Sequence, residues 1–509
     1  WSLLPFLPFY SLPLLTMVRH LLNVAARYSH RHHSILIDSK TASPALSHRH
    51  RSLLTDSKAA APATRNLYAE AIYPEPLEAR LDLHCDPNHP KSLSVERVKE
   101  AAAAIKKKDP SKFEGGVMLT ELRHSFLISR CAKMDVHLKM ELNQITGSFK
   151  ERGGRFALHN LTDEQKRAGV FAASAGNHAL ALCWHGKQMG VPITVCMPRH
   201  APMMKIQKCK DFGANVIVQG KDLGAARRLA LELSHQRGGT YINGYDHIDV
   251  LAGAGTIGVE ILEQLDNVDA IVVPVGGGGL IAGISVAVKA LKPTVEIIGV
   301  ESSLTASMKN ALEQGAPVPT KISPTLADGL AVPVVGVNSF HNAKGKIDRM
   351  LTVEESDISL AVLRLLELEK VVPEGSGACG LAAILSGQLD DLKGRRVATI
   401  VSGGNIDSTA LNRVIERGMA HDHRIVRFNV VVSDRPGGIA ELCKYIADLG
   451  ASIKDQYTEQ PYQRHDIFSV RVNITAETRG FEHSEQLHRA LSKRYGPVDC
   501  DFKHVPFLA

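Results

Sequence analysis

Short apolar runs and longer amphipathic stretches alternate through the middle of the chain. The run at 170–173 precedes a helical pattern at 179–189, that at 192–197 one at 202–212, and that at 215–218 one at 222–236. Further runs at 270–273, 296–300 and 396–401 are largely apolar, as strands covered on both faces are. This alternation predicts an α/β fold whose parallel sheets are covered by helices on both sides. Upstream, Val95–Ile105 is rich in good helix formers and sets Val95, Val98, Ala102 and Ile105 on one face. From about His423 the period becomes two. Val426, Phe428, Val430 and Val432 alternate, the turn 434–438 follows, and Ile439, Leu442, Ile446 and Leu449 mark a helix face. Strands at 451–459 and 467–474 and a helix at 482–494 complete a predicted βαββαβ order.

A chain of 509 residues exceeds one hydrophobic core, which stops growing near ~250–300 residues, so more than one domain is expected. Its apolar share of 44% and charged share of 22% are those of an ordinary soluble protein. The net charge of +7 suggests a polyanionic partner until it is located. From Trp1 to Lys58 the acids are Asp38 and Asp56, against seven basic residues, so much of the excess sits in one tail and no nucleic-acid surface is expected. Eight cysteines without a Cys-x-x-Cys pair argue against a zinc or disulfide framework and fit a reducing compartment.

The first fifteen residues are apolar but proline-rich and short for a membrane span, and no membrane partner is expected. They lack the basic lead and small-residue cleavage site of a secretory signal. Met17 is the expected start. The Arg-, Ser- and His-rich stretch after it reads either as a mitochondrial transit peptide or as a disordered tail of a cytoplasmic protein. Its segment 29–40 recurs nearly intact as 47–58, a tandem duplication in low-complexity sequence. The histidines there make a poor metal cage without a core around them. Residues 1–78 are therefore taken as an N-terminal extension, 79–420 as the catalytic domain with a smaller subdomain at about 125–235, and 423–509 as a separate C-terminal domain.

Ligands of open parallel sheets bind beyond the carboxyl ends of the strands, and four motifs fall there or in a connecting loop. In Gly147-Ser148-Phe149-Lys150 a lysine opens a helical segment, and a desolvated amine is a good nucleophile. Ser174-Ala175-Gly176-Asn177-His178 lies between a strand and a helix, where its amides can hold an anion; helix capping is the bland alternative for Ser174 and Asn177. Gly276, Gly277, Gly278 and Gly279 follow a buried strand and lead into a helix opening at Leu280. Successive N–H groups and a helix N-terminus there form a nest for a phosphate. No Gly-Lys-Ser/Thr follows, which excludes a nucleoside-triphosphate loop. Ser402-Gly403-Gly404-Asn405 closes the last strand.

In order and spacing these motifs resemble the pyridoxal-phosphate site of the threonine/serine dehydratases (threonine ammonia-lyases), fold type II among enzymes of that cofactor. The resemblance spans roughly 82–419. It implies that Lys150 carries the cofactor as a Schiff base and removes the substrate Cα proton, with Phe149 packed on the ring. It further implies Asn177 at the phenolic oxygen, the glycine loop and Leu280 at the phosphate, and Ser402 at the ring nitrogen. Substrate contacts would come from Ser174, Ala175, Gly176, His178 and Glu374. A hydroxyl partner leaves the ring nitrogen largely neutral, which suits β-elimination. Serine racemases of this fold carry serine at the place of Ala175, so little racemisation is expected. Relatives with a divalent cation use a run aligned with Glu301, Thr305 and Ser307; Glu301 is kept, but Ser307 replaces the second acid, so no tight metal site is expected. The C-terminal order with Asp434-Arg435-Pro436-Gly437-Gly438 looks like an ACT domain. That implies an amino-acid effector and a homodimer or homotetramer, the alternative being a dimerisation module without ligand. Other functional readings are a β-replacement enzyme, threonine synthase, serine racemase, or a non-catalytic amino-acid sensor.

Overall fold

The computed structural model describes residues 89–106, 115–459 and 467–500. The extension 1–78 and its duplicated tracts lie outside the described residues. The larger sheet holds β1 (Leu122–His124), β2 (Asp135–Lys139), β7 (Ala270–Pro274), β8 (Glu296–Ser302), β9 (Arg349–Val353) and β10 (Arg396–Ile400) in the order β1-β2-β10-β7-β8-β9. All neighbours run parallel except the edge pair β1–β2. Alternate residues feed different cores. Ile271, Val273 and Ile297 pack in one apolar cluster, and Ala270, Val272 and Ile298 in the other. This is the two-faced burial that the unbroken apolar runs predicted.

The smaller sheet is parallel throughout, β5-β4-β3-β6, from β3 (Val170–Ala173), β4 (Ile193–Met197), β5 (Asn215–Val218) and β6 (Thr240–Tyr241). The sequence reading placed residues from about 125 with this sheet, but β2 pairs with β10 in the larger one. The register explains it: β2 runs alongside β10 from Asp135 to Lys139, and its Val136 and Leu138 are fully buried in the larger sheet's core.

After the helix Ser408–His421 comes a third sheet, antiparallel, of β11 (Ile425–Ser433), β12 (Ser452–Glu459), β13 (Ser469–Glu477) and β14 (Asp499–Cys500), in the order β12-β13-β11-β14. Helices Gly438–Asp448 and Phe481–Tyr495 cover one face, where Val430, Val472, Leu442 and Leu487 share a core. Ion pairs of Arg424 with Glu367 and of Arg364 with Asp422 tie the root of this module to the preceding helices. No helix among the described residues is long and apolar enough to cross a membrane.

Candidate active site

Lys150 is the first residue of the helix Lys150–His159. The loop before it is stitched to the end of β10: Phe149 N donates to Ser402 O at 3.0 Å, Leu142 N to Val401 O at 3.0 Å, and Gly404 N to Gly147 O at 2.9 Å. The lysine therefore leaves a fixed backbone. Its Nζ donates to Gly244 O at 2.6 Å and stands 4.9 Å from the centre of the Phe149 ring. Burial pulls its pKa down to about 8, against an opposing pull from the Glu374 carboxylate.

Asn177 opens the helix Asn177–Met189 directly beyond β3. Its Nδ2 donates to Glu374 Oε1 at 2.7 Å, and its Oδ1 accepts from Asn405 Nδ2 at 2.9 Å. Asn405 also donates to Thr146 O at 2.7 Å, so both subdomains and the lysine loop share one amide network. Glu374 is buried at the start of the helix Gly375–Leu385. Burial first, then the charge of Asp328, pushes its pKa up to about 7. Gly403 passes between these groups: a Cβ there would lie 2.4 Å from Glu374 Oε1 and 3.2 Å from Asn177 Nδ2. Ser402, buried at the end of β10, sits next to it.

The glycine loop joins β7 to the helix Gly279–Leu291, and Gly278 takes φ 91°, a left-handed conformation that L side chains disfavour. Amides of a helix's first turn have no intrahelical partner, and the helix end is positive. Leu280 is buried in that turn. Tyr245 presses on the loop, for a Cβ on Gly277 would meet its ring at 2.4 Å and one on Gly279 its carbonyl oxygen at 2.5 Å. The segment 243–246, beyond the short β6, was missed by the sequence reading. Its Gly244 carbonyl holds the lysine amine and its Tyr245 backs the glycine loop. Asn243 Oδ1 shapes the turn by accepting from Tyr245 N at 3.0 Å and Asp246 N at 3.1 Å. The signal was present as an Asn-Gly dipeptide after a strand.

Ser174, Ala175 and Gly176 lie partly exposed beyond β3, with Ser174 Oγ accepting from Gly176 N at 3.2 Å. A Cβ on Gly176 would meet nothing within 4 Å, so this stretch borders open space. His178 instead turns inward. Its Nε2 is 3.1 Å from Ile242 O, its ring lies against Gly244, and burial holds it neutral with a pKa near 3. Glu301 is buried away from these groups, both oxygens accepting helix amides, from Met308 N at 2.7 Å and Lys309 N at 3.0 Å. It caps the helix Ser307–Gln314, with Thr305 and Ser307 buried beside it.

Four strand ends thus converge on one amine. A family model described as "Pyridoxal-phosphate dependent enzyme" matches residues 114–403, and these hold Lys150, Asn177, the glycine loop, Glu374 and Ser402. The chain belongs to that family. It is 39% identical over 399 residues to an L-threonine ammonia-lyase of Thermotoga maritima, covering 78% of this chain and 97% of that protein. Among solved structures, the processed threonine deaminase isoform 2 of Solanum lycopersicum matches with a TM-score of 0.60 at 32% identity, over 64% of this chain and 96% of its own. Maize serine racemase matches with a TM-score of 0.60 at 29% identity, over 65% of this chain and all of its own.

The residues fit pyridoxal phosphate. The amine of Lys150 suits its aldehyde, and the Phe149 face suits its ring. Asn177 Nδ2 has a second hydrogen beyond the one given to Glu374, and the glycine loop offers amides to the phosphate. The lowered lysine pKa has a direct consequence. Only the neutral amine attacks an aldehyde, so the rate at which cofactor-free protein takes up pyridoxal phosphate should rise with pH through a midpoint near 8. Stopped-flow absorbance measures this; a midpoint near the ordinary lysine value of 10.5 would contradict the burial of this amine.

Proposed function

We propose that the chain is a threonine/serine ammonia-lyase, releasing 2-oxobutanoate and ammonia from L-threonine, and pyruvate and ammonia from L-serine, by β-elimination. The observation that carries this reading is the placement of the buried Lys150 amine, held by Gly244 O, near the Phe149 ring and within the field of the Glu374 carboxylate. When bound, pyridoxal phosphate supplies an electron sink for charge developing at Cα. The chain's own groups do the rest. Lys150 Nζ, neutral in part near pH 8, accepts the Cα proton. The stretch 174–176, with the Ser174 hydroxyl and the Ala175 amide, holds the substrate carboxylate beside the helix N-terminus at Asn177. Asn177, fixed by Glu374 and Asn405, orients the ring edge. Loss of the β-hydroxyl as water, with the proton that Lys150 took from Cα, leaves an enamine; once released it tautomerises to the imine, which adds water and loses ammonia to give the oxo acid. Ala175 offers no proton on the opposite face, which supports elimination over racemisation.

Incubation with L-threonine, L-serine and D-serine tests this. Oxo acid and ammonia should form in equal amounts from the L-substrates, with little D-serine made from L-serine. Turnover confined to O-phosphorylated or O-acylated substrates would instead favour a threonine synthase or a β-replacement enzyme.

We take the C-terminal module as ACT-like and regulatory, in a homodimer or homotetramer. The βαββαβ order of 425–500 and the strand order β12-β13-β11-β14 support this. So do the exposed Tyr457 on β12 and Ile467 and Phe468 in the turn before β13, which suit pairing with a second copy. A free amino acid, of branched-chain type, is expected to shift substrate affinity by ~5–150-fold. Truncation after Met419 should remove that response and leave turnover. If a screen of amino acids moves neither activity nor melting temperature, the module is a dimerisation element.

A further inference from the structure

On the outer edge of the larger sheet, far along β2 from the strand ends that build the active site, three side chains converge. His124 of β1 and His137 of β2 are direct cross-strand partners, so their rings leave the same face. Asp135 lies two residues before His137 and therefore shares that face. His137 Nε2 is 3.0 Å and His124 Nε2 3.1 Å from the same oxygen, Asp135 Oδ1. The ring centroids are 5.0 Å apart, and the three ligand atoms all lie within 4.8 Å of one another. We propose that His124, Asp135 and His137 form a binding site for one late divalent transition-metal ion, of which zinc is the reference case.

The geometry is close to what such an ion needs. With metal–ligand bonds of ~2.0–2.1 Å, the edges of a tetrahedron are ~3.3 Å long. The nitrogen–oxygen separations here fall short of that by only a few tenths of an ångström. A metal can replace the shared hydrogen bonds with little movement of either strand. Arg396, on the neighbouring β10, donates from Nε to the other carboxylate oxygen, Asp135 Oδ2, at 3.1 Å. It fixes the carboxylate and leaves Oδ1 facing the imidazoles, the outer-shell support typical of metal ligands. Ser129 Oγ, at 3.4 Å from His124 Nε2, is the further polar neighbour.

Two imidazoles and one carboxylate select zinc, copper, nickel or cobalt over magnesium and calcium, which prefer all-oxygen sites. Three protein ligands leave a fourth position for water, and the nearby guanidinium opposes a cation. The site is therefore exchangeable and weaker than a closed four-ligand structural one. An ion there would tie the short edge strand β1 to β2.

The test titrates full-length, cofactor-loaded, chelator-stripped protein with Zn²⁺ and Co²⁺, as wild type, His124→Ala and Asp135→Asn. The histidines within 29–58 contribute the same background in all three proteins. Wild type should bind one more equivalent than either variant, show the visible band of four-coordinate cobalt that the variants lack, and retain it in excess Mg²⁺. Metal-free variants should keep the wild-type melting temperature, cofactor absorbance and threonine turnover, because none of the three residues belongs to the active site. Equal stoichiometry and equal cobalt spectra in all three overturn the proposal. So does a loss of metal binding accompanied by loss of the cofactor band, which would mark a disturbed fold.

Discussion

Replacing Lys150 by alanine should lower oxo acid formation from L-threonine by at least ~10⁴-fold, the upper range for removal of one general base. Two losses combine. The amine that accepts the Cα proton is gone, and so is the covalent attachment of the cofactor. The fold should survive the change, because the side chain's hydrogen bond goes to one backbone oxygen, that of Gly244, and the helix Lys150–His159 is held through other residues. Cofactor-type absorbance and turnover should therefore fall together at an unchanged melting temperature. Residual turnover within tenfold of wild type would place the base elsewhere.

Arg152 is expected to give the largest loss of stability. Two residues beyond Lys150 on the same helix, it is almost fully buried. It donates to Glu141 Oε1 at 2.7 Å and Oε2 at 2.8 Å, and to Glu260 Oε1 at 2.6 Å and Oε2 at 2.8 Å. Lys139 completes the set, donating to Glu260 Oε2 at 2.6 Å. Two cations thus balance two carboxylates below the active site, and the pair of acids holds the Arg152 guanidinium well above its ordinary pKa. Arg152→Ala leaves an uncompensated buried carboxylate, which costs ~3–5 kcal/mol. Replacing Glu141 as well, in Arg152→Met/Glu141→Leu, should recover much of that, since apolar replacements of a buried ion pair are often neutral. Denaturant unfolding measures both. A single-variant loss under ~1 kcal/mol would show that water reaches this network.

The sheets were legible because strands buried on both faces leave unbroken apolar runs, as at 270–273 and 297–300. The strand-end motifs were legible for a related reason: glycines, Ser174, Asn177 and Ser402 interrupt those runs at fixed places. Tertiary hydrogen bonds leave no such trace. Nothing local ties Asn177 to Glu374 or Asn405, and nothing in Asn243-Gly244-Tyr245 announces that a carbonyl there meets the Lys150 amine. His178 shares a motif with Asn177, yet the helix turns successive side chains by about 100°, so its ring points at Ile242 and Gly244. Glu301 shows the same limit in another form. A carboxylate ahead of a helix can ligate a metal or cap the helix, and nothing local announces that this one accepts the amides of Met308 and Lys309.

The most direct test of the account is borohydride reduction of the cofactor-loaded protein, followed by peptide mass spectrometry and a threonine assay on the same sample. The expected result is one pyridoxyl phosphate addition, on the peptide carrying Lys150, with oxo acid formation abolished in proportion. An addition on any other lysine, or continued threonine deamination by protein fully reduced at Lys150, would contradict it.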